Sequence, residues 1–134
     1  MKVRIYYHHT DCGGVVYYAN YLKFLEEART EFFQERGISV KAEMEKGVVF
    51  VVARQEIDYE LPAFYGDILQ IDTRVVNVSG VKIEFAYEIK NQSDKVVCAA
   101  RTIIVCVDKN FKPQAIPEEM RRKITLNPTD HKGY

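Results

Sequence analysis

The sequence has no apolar run long enough to cross a bilayer. Stretches such as Val48 to Ala53 and Ile103 to Val107 fall far short of the ~20 residues a spanning helix needs, so no integral membrane contact is expected. It also lacks an excess of charge of either sign. Nineteen Lys and Arg balance nineteen Asp and Glu, so no long-range positive field gathers nucleic acid or an anionic membrane. Cysteine is scarce and odd in number. Cys12, Cys98 and Cys106 show no Cys-x-x-Cys spacing, which argues against a disulfide scaffold or a zinc site and for free thiols. The N-terminus, Met1 to Tyr6, lacks the apolar core and small-residue cleavage site of a signal peptide, so a cytoplasmic protein is expected. There is no internal repeat, low-complexity stretch or interdomain linker. A length of 134 residues suits one core, and residues 1–134 are read as one domain.

Val3 to Tyr7 form a short β-branched and aromatic run, read as a strand, before a turn at Asp11-Cys12-Gly13-Gly14. From Asn20 the spacing becomes helical. Tyr21, Phe24, Leu25, Ala28 and Phe32 share one face, and Glu27, Thr30, Glu31 and Gln34 lie opposite. Asn20 suits an N-cap and Gly37 a left-handed end, which gives about 16 residues, or roughly 25 Å. This is the one long helix. Strand-like segments follow at Val48 to Tyr59, Ile68 to Val78, Val81 to Ile89 and Val96 to Val107.

The third of these alternates, with Val81, Ile83, Phe85, Tyr87 and Ile89 against Lys82, Glu84, Glu88 and Lys90, so one face is wet. The fourth is apolar on both faces, as in a central strand. Ser79-Gly80 and Asn91 to Asp94 read as hairpin turns, which predicts antiparallel pairing in a meander. Pro117-Glu118-Glu119 before Arg121-Arg122-Lys123 favours a short terminal helix, and fraying is expected from 127 to 134. The fold class is therefore α+β, with an antiparallel sheet of about five strands whose apolar face covers one long helix.

The segment Arg4-Ile5-Tyr6-Tyr7-His8-His9-Thr10-Asp11-Cys12-Gly13-Gly14-Val15-Val16-Tyr17-Tyr18-Ala19-Asn20-Tyr21 resembles the signature of the 4-hydroxybenzoyl-CoA thioesterase family, especially its YbgC-like acyl-CoA thioesterase branch. The match joins a Thr-Asp pair, a small residue, Gly, two aliphatics, aromatics and Asn-Tyr to a helix carrying Glu-Ala-Arg-Thr-Glu. Weaker similarity continues through Tyr59-Glu60-Leu61-Pro62 and Gly66-Asp67-Ile68 to about Asp108. The resemblance implies a hot-dog fold, in which the sheet wraps the long helix.

It also implies hydrolysis of an acyl-CoA thioester to a carboxylic acid and free CoA, without metal or redox cofactor. Asp11 falls on the family's catalytic carboxylate, and Tyr18 on the backbone N–H that faces the thioester carbonyl; Gly14 and Val16 line the substrate side of the same loop. The chemistry suits the positions. Negative charge builds on the carbonyl oxygen during the reaction, and a helix N-terminus offers a donor and a positive dipole end. Asp11 has two roles open to it, general base toward water or nucleophile toward the carbonyl. Judged by spacing alone, an aspartate beside glycines forms an Asx-turn, and the resemblance is what assigns it to catalysis.

His8-His9 departs from the branch, where acidic residues more often precede Thr-Asp. On a strand the two rings point to opposite faces and do not share a metal, and His131 lies in the tail. Cys12 has no histidine fixed by spacing to activate it and is taken as a bystander. Glu26-Glu27-Ala28-Arg29-Thr30-Glu31 is read as structural, and Asp67 as shaping the turn into its strand. CoA phosphates need cations, for which Arg54, Arg101 and Arg121-Arg122-Lys123 are candidates. Tyr17, Phe24, Phe50 and Phe64 either line an acyl pocket or fill the core.

The resemblance further implies a homo-oligomer, dimer or tetramer, with active sites where subunits meet. Two alternatives remain beside it. One is a different enzyme: an acyl carrier protein thioesterase, or a hydratase using His9 and Asp11. The other is a non-catalytic acyl-CoA-binding module.

Overall fold

The computed structural model describes residues 1–125. The tail expected to fray from 127 to 134, with His131, lies outside them. In chain order the elements are β1 (Lys2–Arg4), a 3-10 turn (Tyr7–His9), α1 (Asn20–Glu35), α2 (Val40–Glu45), β2 (Val49–Tyr59), β3 (Ile68–Val78), β4 (Lys82–Lys90), β5 (Val96–Val107) and α3 (Glu118–Thr125). All five strands form one antiparallel sheet in the order β1-β3-β4-β5-β2.

The periodic segments sit where their patterns put them. On β4, Ile83, Phe85, Tyr87 and Ile89 are buried, while Lys82 and Glu88 face solvent. The expected meander holds for β3-β4-β5. Asn91 takes the Ser93 and Lys95 N–H groups on its Oδ1, and the Ser79 hydroxyl takes Lys82 N–H. It does not hold for β2, which pairs with β5 across Val49↔Val107 to Tyr59↔Cys98 and leaves its other side as a sheet edge. The link from β2 to β3, residues 60–67, is too long for a hairpin. It carries the chain across to the Asp11 loop instead.

The inner face of the sheet closes on α1. Tyr21, Phe24, Leu25, Ala28, Phe32 and Phe33 are buried there, the first five being the face predicted from spacing. Phe32 and Phe33 set their rings edge-on to Phe85 at 5.3 and 5.7 Å between centroids. Such contacts each contribute about 0.5–1.5 kcal/mol beyond area burial. The Arg36 guanidinium lies 3.5 Å over the Phe32 ring.

Only one polar side chain, Thr102, is fully buried among the described residues, and it is fully engaged. Tyr87 donates to its hydroxyl at 3.0 Å, Arg29 of α1 donates to both, and Thr102 donates to Gln55 Oε1 at 2.7 Å. Burial pushes the Tyr87 phenol pKa up, with Arg29 opposing the shift. Arg29 thus works inside the core rather than in surface charge pairs along the helix.

Three local expectations change. Asn20 is the first helical residue and not the cap: Ala19 holds the cap position, and the Asn20 side chain donates instead to His9 O at 2.8 Å. β1 ends at Arg4, because His9 and Thr10 donate their N–H groups to Tyr6 O and Tyr7 O, at 3.0 Å each, and turn the chain. Residues 38–47, too short to show a period, hold α2, capped by the Ser39 hydroxyl on Ala42 N–H at 3.1 Å. Gly37 ends α1 at φ 74, as its position implied.

Candidate active site

The loop between the 3-10 turn and α1 is closed by its own backbone. Asp11 N–H donates to Val15 O at 2.9 Å, and Gly14 N–H returns to Asp11 O at 3.0 Å. Gly14 takes φ 83, a conformation that a side chain would strain. Thr10 bridges Val16, and Val15 bridges Phe64. Val16 N–H donates to Ala63 O at 2.8 Å, which seats the loop on residues 60–67. That segment is in turn pinned by Asp67, whose Oδ2 accepts Phe64 N–H at 2.8 Å and whose Oδ1 accepts Gln92 Nε2 at 3.0 Å. The turn-shaping role read for Asp67 is what these bonds perform.

Asp11 is exposed, and its Oδ1 accepts Gly13 N–H at 2.8 Å. The Asx-turn read from spacing is therefore present. It is compatible with chemistry, because it engages one carboxylate oxygen and fixes the direction of the other. A Cβ on Gly13 would meet Asp11 Oδ1 at 3.1 Å, so a glycine here lets the carboxylate lie close. Tyr18 follows on the same loop, at the N-terminus of α1. Among the described residues nothing accepts its N–H, while its carbonyl accepts the Tyr59 hydroxyl at 3.2 Å and Tyr21 N–H at 3.3 Å. The charge of Asp11 is felt at Tyr17, whose phenol pKa is raised first by the adjacent Tyr18 and in smaller part by Asp11.

Of the other two loop residues, Gly14 lies at the exposed tip, whereas Val16 is only 5% exposed. Its side chain is part of the core and its N–H is taken. Around the loop stand Tyr6, Tyr7, Tyr17, Tyr18, Tyr59 and Tyr65, each at least 44% exposed.

His8 and His9 do not point to opposite sides, because they lie in the 3-10 turn and not on a strand. Their ring centroids are 4.0 Å apart. No group of three His, Cys, Asp or Glu placed to hold a metal ion occurs among the described residues. Cys12 is exposed beside Asp11, while burial pushes the Cys98 thiol up to about 12 and raises that of Cys106. Most of the cations proposed for phosphates already have partners. Arg54 pairs with Glu56, Arg101 with Glu84 at 3.0 Å, and Lys123 with Glu119 at 3.6 Å; Arg121 donates to Ser79 O at 2.7 Å. Phe24 is core and Phe50 partly buried against it, while Phe64 is 49% exposed at the loop. Sequence reasoning missed Tyr59 and Asn20 as supports of the loop. Their partners are 41 and 11 residues away, and no local pattern marks such pairs.

A five-stranded antiparallel sheet closed on one long helix, with an aspartate loop leading into that helix, is the hot-dog class of fold. The sequence profile of the Thioesterase-like superfamily matches residues 5–124, and the chain belongs to that superfamily. The Acyl-CoA thioester hydrolase YbgC of Escherichia coli O6:H1 is 39% identical over 119 residues, 88% of this chain and 89% of that protein. The Acyl-CoA thioesterase YbgC of Haemophilus influenzae is 37% identical over 121 residues, 89% of this chain and 88% of that one. Among solved structures, the 1,4-dihydroxy-2-naphthoyl-CoA thioesterase from Synechocystis matches with a TM-score of 0.88 at 23% identity, over 94% of each chain, which is a likeness of fold. No helix among the described residues is long and apolar enough to cross a membrane.

Proposed function

We propose that the protein hydrolyses acyl-CoA thioesters, with Asp11 as the catalytic carboxylate and the Tyr18 N–H as the donor to the carbonyl oxygen. The observation that carries this reading is the pairing on one exposed loop of a carboxylate steered by Gly13 N–H and an N–H that no described group accepts. The YbgC relatives, acyl-CoA thioesterases by name, support the substrate class.

On the general-base route, Asp11 takes a proton from water as the hydroxide adds to the thioester carbonyl. The Tyr18 N–H and the positive end of α1 stabilise the resulting oxyanion. The C–S bond then breaks, and the CoA thiolate leaves and collects the proton. On the nucleophilic route, Asp11 attacks the carbonyl and expels the thiolate, and water cleaves the mixed anhydride. In single turnover in 18O-water, label found in Asp11 identifies the nucleophilic route, since only an anhydride hydrolysed at the aspartyl carbonyl leaves it there. Gly14 serves through its backbone, which makes the turn, and Val16 through its buried side chain and its N–H to Ala63 O, which anchor the loop.

The proposal includes a homo-oligomer, at least a dimer, whose subunits meet beside the loop. What supports it is that one protomer leaves the loop and its tyrosines open to solvent, and leaves β2, an 11-residue edge strand, unpaired on one side. An edge of that length is a template for pairing with a second chain. The test of the activity is thiol release from short, long and aromatic acyl-CoAs, with an acylated carrier protein alongside. Turnover of CoA substrates supports the proposal. Turnover confined to the carrier protein, or tight acyl-CoA binding without turnover, overturns it in favour of the carrier-protein thioesterase or the binding module.

A further inference from the structure

Three segments converge on His9, two residues before Asp11. Its ring takes the exit of β1, because Tyr6 N–H donates to His9 Nδ1 at 2.9 Å while His9 N–H returns to Tyr6 O at 3.0 Å. Its carbonyl takes the return of the loop and the start of α1, accepting Tyr17 N–H at 2.9 Å and Asn20 Nδ2 at 2.8 Å. The ring also stands edge-on to Phe24 of α1, with centroids 5.2 Å apart. An acceptor at Nδ1 means the neutral imidazole carries its proton on Nε2. Protonation at Nδ1 would set an N–H against the Tyr6 N–H, donor facing donor, and break the ring's hold on the chain that leads into Asp11.

We propose that His9 is a positioning residue for Asp11 and Tyr18: its neutral imidazole holds the loop in its reactive register, and acid releases it. This rests on the thioesterase reading of the loop. The charged groups set against the ring act in the same direction. His8 beside it and Lys23 on α1 both disfavour a second positive charge, and with partial burial, the largest cause, they hold the His9 pKa below the usual histidine value. The ring also meets the Tyr6 and His8 rings within the turn and Phe24 on the helix.

The sign follows from proton affinity. The closed loop binds a proton more weakly than an open one, in which the histidine returns toward about 6.5. Protons therefore favour the open loop. The closed form is complete above that value and is lost as pH falls through the lowered pKa. Turnover accordingly falls on the acid side through His9.

The test compares His9→Asn with His9→Ala. Asparagine places Oδ1 where Nδ1 lies, so it keeps an acceptor for Tyr6 N–H that does not titrate; alanine keeps only the backbone bonds. For kcat against pH, the proposal expects His9→Asn to stay within about twofold of wild type near pH 8 and to hold its activity to lower pH. His9→Ala should lose about tenfold at every pH while remaining folded by circular dichroism, since small misplacement of reacting groups is costly.

A second readout does not depend on turnover. In 15N-resolved NMR, the Tyr6, Gly13, Gly14 and Tyr18 amides of the wild type should shift with the same midpoint as the His9 ring, below 6.5, and those of His9→Asn should not show that step. Coupled amide and ring titration without turnover would uphold the positioning role and reject the thioesterase reading. An acid limb unchanged in His9→Asn, or loop amides that ignore the His9 titration, would overturn the positioning role alone.

Discussion

Asp11 does two things with two oxygens. Its Oδ1 closes a turn on Gly13 N–H, and the other oxygen of this exposed side chain has no hydrogen-bond partner among the described residues. Gly14 holds that turn at φ 83 with open space around its Cα, so a methyl group there costs conformation and not collision. Gly14→Ala is expected to lower stability by about 1 kcal/mol and to lower kcat by more than that energy alone implies, because the strain falls on the loop. Thermal unfolding beside kinetics measures both, and an unchanged kcat would contradict the loop's role.

The three thiols are separated by their surroundings. Cys12 is exposed, whereas burial holds Cys98 up at about 12 and Cys106 above its usual value. At pH 8 the native protein should react with a thiol reagent at one cysteine, Cys12, and at all three only when unfolded. Mass mapping that finds Cys98 modified as fast as Cys12 would contradict this environment.

The elements divide by how far their information travels along the chain. α1 and β2 to β5 were legible because period 3.6 and period 2 are local: the same side chains that set the pattern, such as Phe32 and Phe85, meet in the core. Val3 to Tyr7 looks extended by composition, yet β1 ends at Arg4, where the bonds to Tyr6 O and Tyr7 O turn the chain. The pairing of β2 with β5 rather than β3 is a non-local choice that no hairpin signal encodes. Asp11, Tyr18 and Gly14 are candidates that only the motif marks. What supports them, the strap of residues 60–67, reaches the loop from some 50 residues away.

That strap is testable. Asp67→Ala removes acceptors from Phe64 N–H and from the Gln92 side chain. It should cost about 1–2 kcal/mol of stability and reduce kcat several-fold, since Ala63 O holds Val16. Deep in the core, Thr102→Val leaves Tyr87 and Gln55 without their shared partner and should cost about 1–3 kcal/mol. Chemical denaturation measures both, and a neutral Thr102→Val would mean the polar cluster is not a stabilising one.

At the scale of the molecule, the sheet has one long free edge, and the reactive loop stands open beneath exposed tyrosines. On the proposed reading, a single copy leaves Asp11 and Tyr18 exposed, and a second chain would complete the site. Light scattering should give at least twice the 15.5 kDa of one chain, and activity should disappear at the dilution at which the assembly falls apart. A monomer with full turnover would contradict a shared site.

The most direct measurement of the central claim is kcat for acyl-CoA hydrolysis by Asp11→Asn beside the wild type, with circular dichroism and light scattering on both. The amide keeps the turn on Gly13 N–H and removes the charge that takes a proton or attacks the carbonyl. The account predicts an intact fold and assembly with kcat reduced at least about 100-fold. Wild-type turnover in the variant would show that thioester hydrolysis is carried by another group.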